Sequence, residues 1–484
     1  MTTTIWYDRL ETSAHFIFAV NCEEELLEAS SVRDRLTEAL KKAKGADYVE
    51  VRLEENRTRR ISYRGKELED IGGSFSLGGC ARAVYKGGWG FASLNEIDQL
   101  PEKARLAVKQ AKLVGKEKTV ISPGQTVVDE VDAPLKKDPG LFPIARIKAL
   151  MDEYNQVIWS TPQIQTSVIF YGDTDKTVYF ANSEGSFIRQ SRRDVSLRIN
   201  AVARDGGEVQ QLGLSLGSNG DFGVVEGLHQ QVRDIAGKAV KMLAAPKVKG
   251  GEMTVVLDPI LAGVFVHEAF GHLSESDFIY ENEKMRELMV LGRRFGASHL
   301  NVVDGAAIPG KRGSFKYDDE GIPASKTYLI KEGVLVGRLH SRETAARMGE
   351  KPTGNARAVD YHFAPIVRMT NTIIEPGKLS FEEVIGDIKE GVYAGNWYGG
   401  TTSMEMFTFA SAESYLIRNG KVAEMIRPVT LSGNVFKTLE QIDAIGNDLD
   451  LNEGGGCGKG GQAPLPVSNG SPHIRIQNCL VGGS

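Results

Sequence analysis

Two histidines and a glutamate stand close together in the run Val264-Phe265-Val266-His267-Glu268-Ala269-Phe270-Gly271-His272. Imidazoles and carboxylates bind divalent metals and move protons near neutral pH. In the helical pattern H-E-x-x-H the histidines lie at i and i+4 on one face, and the glutamate beside the first serves as base. Here the second histidine comes one position late. Five residues of regular α-helix turn about 500°, which leaves the two rings roughly 140° apart. A π-bulge, with its i to i+5 hydrogen bond, would bring them nearly into line. The spacing therefore predicts a distorted last turn between His267 and His272, or a helix that ends at Gly271.

A catalytic zinc site commonly takes three protein ligands and keeps one position for water. The remaining candidates are His15, His229, His299, His340, His362 and His473, the carboxylates Glu275 and Asp277, and Cys457. Cys457 is preferred. It lies in Gly454-Gly455-Gly456-Cys457-Gly458-Lys459-Gly460-Gly461, where glycine allows close backbone approach and unusual dihedral angles. The same composition also suits a plain flexible loop. The glycines at 87–90 and 305–313 lack the Walker A order and its Lys-Ser/Thr ending, so no nucleotide site is assigned.

These residues need elements to hold them. Asp258-Pro259 is a helix start, with Asp at N-cap and Pro at N1. The helix follows a buried strand expected at 253–257. A second helix is expected over about 282–294 and a short one near 381–390, within a glycine-rich, strand-and-turn region running to about 476. Upstream, apolar spacing predicts helices over 23–45, 95–114, 144–159 and 224–244. Strands are expected at 48–53, 61–63, 74–76 and 81–85, then at 166–171, 177–182, 186–190, 195–203 and 208–214, with one more near 126–131. The fold class is α+β: two N-terminal units of helix and antiparallel sheet, then a β-rich, barrel-like C-terminal domain carrying the metal-binding helix. The expected limits are an extension over 1–22, an N-terminal domain over 23–245 with a sub-boundary near 115–143, and a C-terminal domain over 250–484.

Composition narrows the function classes. The 484 residues are 41% hydrophobic and 25% charged, which suits a globular chain and excludes collagen, coiled coil and wholesale disorder. The net charge of −5 gives no global reason to bind nucleic acid. Four cysteines are too few for a disulfide framework and suit a reducing cytoplasm. No apolar run approaches the ~18 residues of a membrane-spanning helix, so no membrane partner is expected.

The His267–His272 segment, with Ala269 and Gly271, is followed far downstream by Cys457-Gly458-Lys459. Together these resemble the TldD/PmbA family of metallopeptidases, in its metal-bearing TldD branch. Further matches are Asp318-Asp319-Glu320-Gly321, Pro352-Thr353-Gly354-Asn355, Arg368-Met369-Thr370-Asn371-Thr372, Pro376-Gly377 and Tyr415-Leu416-Ile417-Arg418-Asn419-Gly420-Lys421. The resemblance implies one zinc ion per chain, held by His267, His272 and Cys457, with Glu268 as the catalytic carboxylate. It implies a cytoplasmic peptidase acting on short or unfolded peptides, reached through the channel of a homodimer or of a heterodimer with a related subunit. Two other readings stand beside it: a zinc amidohydrolase maturing a modified peptide, and a non-catalytic partner subunit with a structural metal helix. Glu268 separates the last of these, because a structural zinc site needs no carboxylate beside its first ligand.

Overall fold

The computed structural model describes residues 29–403 and 405–483. The expected extension at 1–22 and the start of the first helix at 23–28 lie outside the described residues. The first elements are α1 (Ala29–Lys42), β1 (Tyr48–Arg64), β2 (Glu67–Tyr85), β3 (Gly88–Leu94) and α2 (Leu100–Val114). After β4 (Val128–Val131) a second, similar series follows: α3 (Ile144–Trp159), β5 (Ile164–Asn182), β6 (Phe187–Asp205), β7 (Glu208–Asn219) and α4 (His229–Leu243). All seven strands join one sheet, ordered β3-β2-β1-β5-β6, with β4 and β7 both pairing β6.

The strands are far longer than expected. Interruptions of the apolar pattern at 54–60, 172–176 and 191–194 suggest strand ends, yet β1, β5 and β6 run straight through them. The interrupting residues are charges that pair across strands: Arg59 with Asp173 at 3.0 Å, and Arg193 with Asp175. Cross-strand ion pairs replace apolar contacts in the middle of the ribbon. β3 was not among the expected strands, and it carries two glycines, Gly88 and Gly90. Their function is close packing: a Cβ on Gly90 would lie 2.0 Å from the Ala107 carbonyl oxygen of α2.

Strand periodicity assigns the two faces of this sheet. Odd-numbered Val49, Val51, Leu53, Ile61 and Tyr63 of β1, and Ile169, Tyr171, Tyr179 and Ala181 of β5, are buried under the helices. The even-numbered face of β1 is ionic instead, with Glu50, Arg52 and Glu54 turned toward the C-terminal half of the chain.

That half is built on β8 (Gly251–Leu257), α5 (Pro259–Val266), β9 (Glu390–Ser403), β10 (Met406–Arg418), β11 (Val429–Asn434) and β12 (Ile474–Gly483). The strands close a five-stranded barrel, β8-β9-β10-β11-β12 and back to β8. α5 is apolar all round and buried, and Phe265 packs edge-on against Phe407 and Phe409 at 5.4 and 6.2 Å.

Two helix expectations need correction. The helix expected over 282–294 ends at Leu288, as α7 (Glu283–Leu288), and an unexpected short helix, α6 (Ser276–Glu281), precedes it. Asn282 takes an extended φ of −118° and caps α7, and Gly292 turns left-handed at +91°. The helix expected over 381–390 stops at Ile385, and β9 begins at Glu390.

Gly263 in α5 lies directly on the strand Ser468–Ser471. An added Cβ would meet the backbone nitrogen of Gly470 at 2.8 Å and its Cα at 2.9 Å. Backbone cannot swing aside like a side chain, so Gly263→Ala should cost about 1–3 kcal/mol. Urea titration of the purified variant would show this as a lowered midpoint at unchanged slope. An unchanged midpoint would mean that the contact relaxes freely.

Candidate metal centre

α5 starts as its sequence requires. The Asp258 carboxylate accepts from Leu261 N at 2.7 Å, which caps the helix, and from Asn396 N at 2.8 Å, which ties it to β9. Burial of this carboxylate pushes it up to about 6, against the pull of those two donors.

The helix does not stay regular. Residues His267–Gly271 form a π-helical turn, closed by the His272 N–H on the His267 carbonyl, five residues back. A 3₁₀ turn, His272–Ser274, follows. Gly271 lets this turn sit on Met369, whose sulfur would lie 2.0 Å from an added Cβ. The extra residue per turn brings the rings together: the His267 and His272 centroids are 5.3 Å apart, at 79° to each other.

Cys457 comes from a short hairpin, Gly456–Lys459 with Gln462–Pro466. Gly460 and Gly461 form its two-residue turn with φ of +58° and +75°, a geometry that glycine enters freely. The glycines thus build a defined hairpin rather than a flexible loop. Buried Arg368 fastens it from below, donating to the carbonyls of Cys457 at 2.8 Å and Gln462 at 3.2 Å.

The three segments converge. One ligand atom each from His267, His272 and Cys457 lies within 4.8 Å of the others, and Cys457 Sγ is 3.5 Å from His272 Nε2. His267 is 3% exposed, and its Nδ1 is buried without a hydrogen-bond partner among the described residues, unlike an ordinary satisfied core histidine. Burial opposes charge on all three groups, but mutual attraction overcomes it. The imidazoles bring the Cys457 thiol down to about 4. Against its own burial, His272 is raised to about 11 by Glu275 and Cys457. A thiolate with two imidazoles is a donor set that suits zinc, and a cation would enter by displacing the protons the imidazoles hold.

The other candidates have different work. Glu275 is 1% exposed and accepts from His272 Nδ1 at 3.0 Å, which leaves Nε2 facing the thiolate. Lys459 Nζ holds Glu275 at 3.1 Å and Asp277 at 2.6 Å. Such outer carboxylates fix the tautomer and aim of a metal-binding ring. His229, His299, His340, His362 and His473 each have partners elsewhere, in Glu153, Ile442 O, Ser276 with Glu350, Asp360 and Asp448. His15 lies outside the described residues. Glu268 is 32% exposed, with a carboxylate oxygen 3.9 Å from His272 Nε2. The sequence reading considered Glu275 only as a ligand and missed Lys459 and Arg368. Glu275 at i+3 from His272 was the available signal.

Glu275→Gln should keep the site's shape but weaken its hold on a metal about 10–100-fold. Competition for zinc with a chromophoric chelator measures this without any activity assay. Unchanged affinity would remove Glu275 from the site's support.

A buried thiolate, two imidazoles and an adjacent solvent-reaching carboxylate, set on a barrel, are features of a metallohydrolase centre. Three family models match the chain: the PmbA/TldA metallopeptidase domain 1 over 49–113, the central domain over 137–243 and the C-terminal domain over 250–483. A metalloprotease of Synechocystis sp. is 49% identical over 440 residues, covering 90% of this chain and 95% of the relative. A zinc metalloprotease TldD homologue of Saccharolobus solfataricus is 30% identical over 452 residues, covering 92% and 99%. The solved structure of TldE from Thermococcus kodakarensis shares the fold, with a TM-score of 0.72 at 18% identity over 94% of this chain and all of the other. A Thermotoga maritima protein described as a putative modulator of a DNA gyrase does so with a TM-score of 0.75 at 18% identity, over 94% of this chain and all of the other. The chain belongs to the TldD/PmbA family of metallopeptidases.

Proposed function

We propose that this chain hydrolyses peptide bonds in short or unfolded polypeptides, with broad specificity, using one zinc ion held by His267, His272 and Cys457. The observation that carries this reading is the meeting of ligand atoms from segments 185 residues apart, with Glu268 beside them. When bound, zinc supplies a Lewis acid that acidifies a water molecule and polarises a carbonyl.

Glu268 follows His267 directly and reaches solvent, so its carboxylate can take a proton from the attacking water. It can then pass that proton to the leaving amine; a positioned base of this kind contributes roughly 10²–10⁴-fold. Glu275 and Lys459 keep His272 in one tautomer while this happens. An extended substrate adding as a strand to a sheet edge would be held by main-chain hydrogen bonds, which supports broad side-chain tolerance. A cytoplasmic setting and a dimer, with a second copy or a related subunit, complete the reading. Among the described residues no helix is long and apolar enough to cross a membrane.

The test is cleavage of an unstructured peptide and a stably folded domain by the zinc-loaded protein. The peptide should be cut and the folded domain spared, with activity lost to a chelator and regained with zinc. Cleavage of the folded domain at equal rate would refute selection by access. A metal-replete protein that cuts neither would favour the non-catalytic subunit.

A further inference from the structure

Residues 190, 192 and 194 of β6 alternate onto one sheet face, and the segment 312–317 lies along them. At one end Gln190 accepts from Lys316 N and Tyr317 N at 2.9 and 3.1 Å and donates to Tyr317 O at 3.0 Å. At the other end Asp194 takes two bonds from Arg312, at 2.6 and 2.8 Å. The Arg192 side chain, between them, makes no hydrogen bond or ion pair among the described residues. Its guanidinium lies over the Phe315 ring, 4.4 Å from the centroid.

The same ring carries a second guanidinium, that of Arg357, at 5.3 Å. Arg357 is 2% exposed and donates to carbonyl oxygens, Met369 O and Pro466 O, both at 2.7 Å. Burial, and then the like charges of Arg192 and Arg368, bring Arg357 down to about 9. The carboxylates nearby are already engaged. Glu54 pairs with Arg52 and Lys176, Asp319 with Arg52, and Asp194 with Arg312. No carboxylate among the described residues therefore pairs directly with either guanidinium, and Asp319, Glu54 and Asp194 attract Arg192 only from beyond ion-pair distance.

Arg192 and Phe315 line a cleft of about 420 Å³ between the N-terminal sheet and the C-terminal half, with Ser314 and Asn219 beside them. The other charged groups on its wall are paired, Lys316 with Asp129 and Asp132 with Arg189. A chain of contacts links the cleft wall to the metal centre, running from Phe315 through the Arg357 guanidinium on its ring. Pro466, the acceptor for Arg357, pairs with Gly456, the neighbour of Cys457. A guanidinium stacked on an aromatic ring keeps its N–H edge free for a bidentate acceptor.

We infer that this cleft binds a carboxylate of the peptide substrate, a free C-terminus or an acidic side chain, through Arg192 stacked on Phe315. This deepens the peptidase reading and rests on it: tolerance of neutral side chains is combined with a preference for anionic peptides. Arg192 is here a specificity-determining residue, away from the reacting atoms.

Binding rather than turnover tests the inference, so that its failure is distinct from that of the peptidase reading. Fluorescence anisotropy is measured on the zinc-loaded Glu268→Gln protein, with and without Arg192→Gln. Three labelled peptides of one unstructured Ala/Ser/Gly sequence are compared: the free C-terminal carboxylate, its C-terminal amide, and the amide with one internal Glu. At least one carboxylate-bearing peptide should bind about tenfold tighter than the neutral amide, and the one that does identifies the source of the carboxylate. Arg192→Gln should abolish the difference, and Arg192→Lys should restore part of it. Equal binding of all three peptides to the Arg192 protein, or no binding of any, would overturn the inference, and this comparison needs no second variant to fold. Discrimination that survives Arg192→Gln would overturn it too, leaving Arg192 as packing for Phe315. Cleavage by the wild type is scored separately and bears only on the peptidase reading.

Discussion

Glu268→Gln should hold its zinc and lose turnover by roughly 10²–10⁴-fold, the contribution of a positioned acid–base group. The amide keeps the size of the side chain and a hydrogen-bonding oxygen but cannot take a proton near neutral pH. Glu268 is not one of the three clustered ligand residues, and its side chain is one-third exposed. Metal content and melting temperature should therefore stay at wild-type values while kcat collapses. The fall should appear in kcat and kcat/KM together, since the lost interaction belongs to the transition state. Wild-type turnover in this variant would end the assignment of Glu268 as base. Loss of zinc together with activity would instead make it a ligand.

Cys457→Ala should empty the site. The thiolate contributes the negative charge of the donor set, and neither Glu275 nor Asp277 is free to replace it: Glu275 is committed to His272 and Lys459, and Asp277 to Lys459. Zinc affinity should fall by more than the 10–100-fold expected of an outer partner such as Glu275. Mass spectrometry of metal per chain, on wild type and variant purified identically, reads this directly. The variant should also lose the thermal stabilisation that added zinc gives the wild type, because a ligand that binds only the folded state raises its stability. Equal zinc in both proteins would free Cys457 from the site. A wild type that takes up no zinc even when it is supplied would favour the partner-subunit reading.

Much of the site was legible in the sequence, for a geometric reason. A histidine pair at i and i+5 cannot converge on a regular helix, so the π turn at His267–Gly271 follows from the spacing. The helix start at Asp258-Pro259 was equally plain. Other features depended on partners distant in sequence. Arg59, Asp173, Asp175 and Arg193 look like strand breakers until the strands are laid side by side and the charges meet. The glycines around Cys457 read as a flexible loop because a two-residue turn shows itself only through the strands it joins. Glu275 looked like one more possible ligand, because nothing local tells a carboxylate that binds metal from one that orients a histidine.

The barrel's closure also sets an order of events during synthesis. His272 leaves the ribosome 185 residues ahead of Cys457, and His267 earlier still, a delay on the order of 10–40 s at typical elongation rates. The stave that closes the barrel, β12, is made later still, and it pairs with β8, the strand leading into the histidine helix. A nascent chain thus carries the two imidazoles and Glu268 without the thiolate and without a closed barrel to hold them. Assembly of the centre is delayed until the chain has been made through β12, so on the proposed peptidase reading an unfinished chain is inactive.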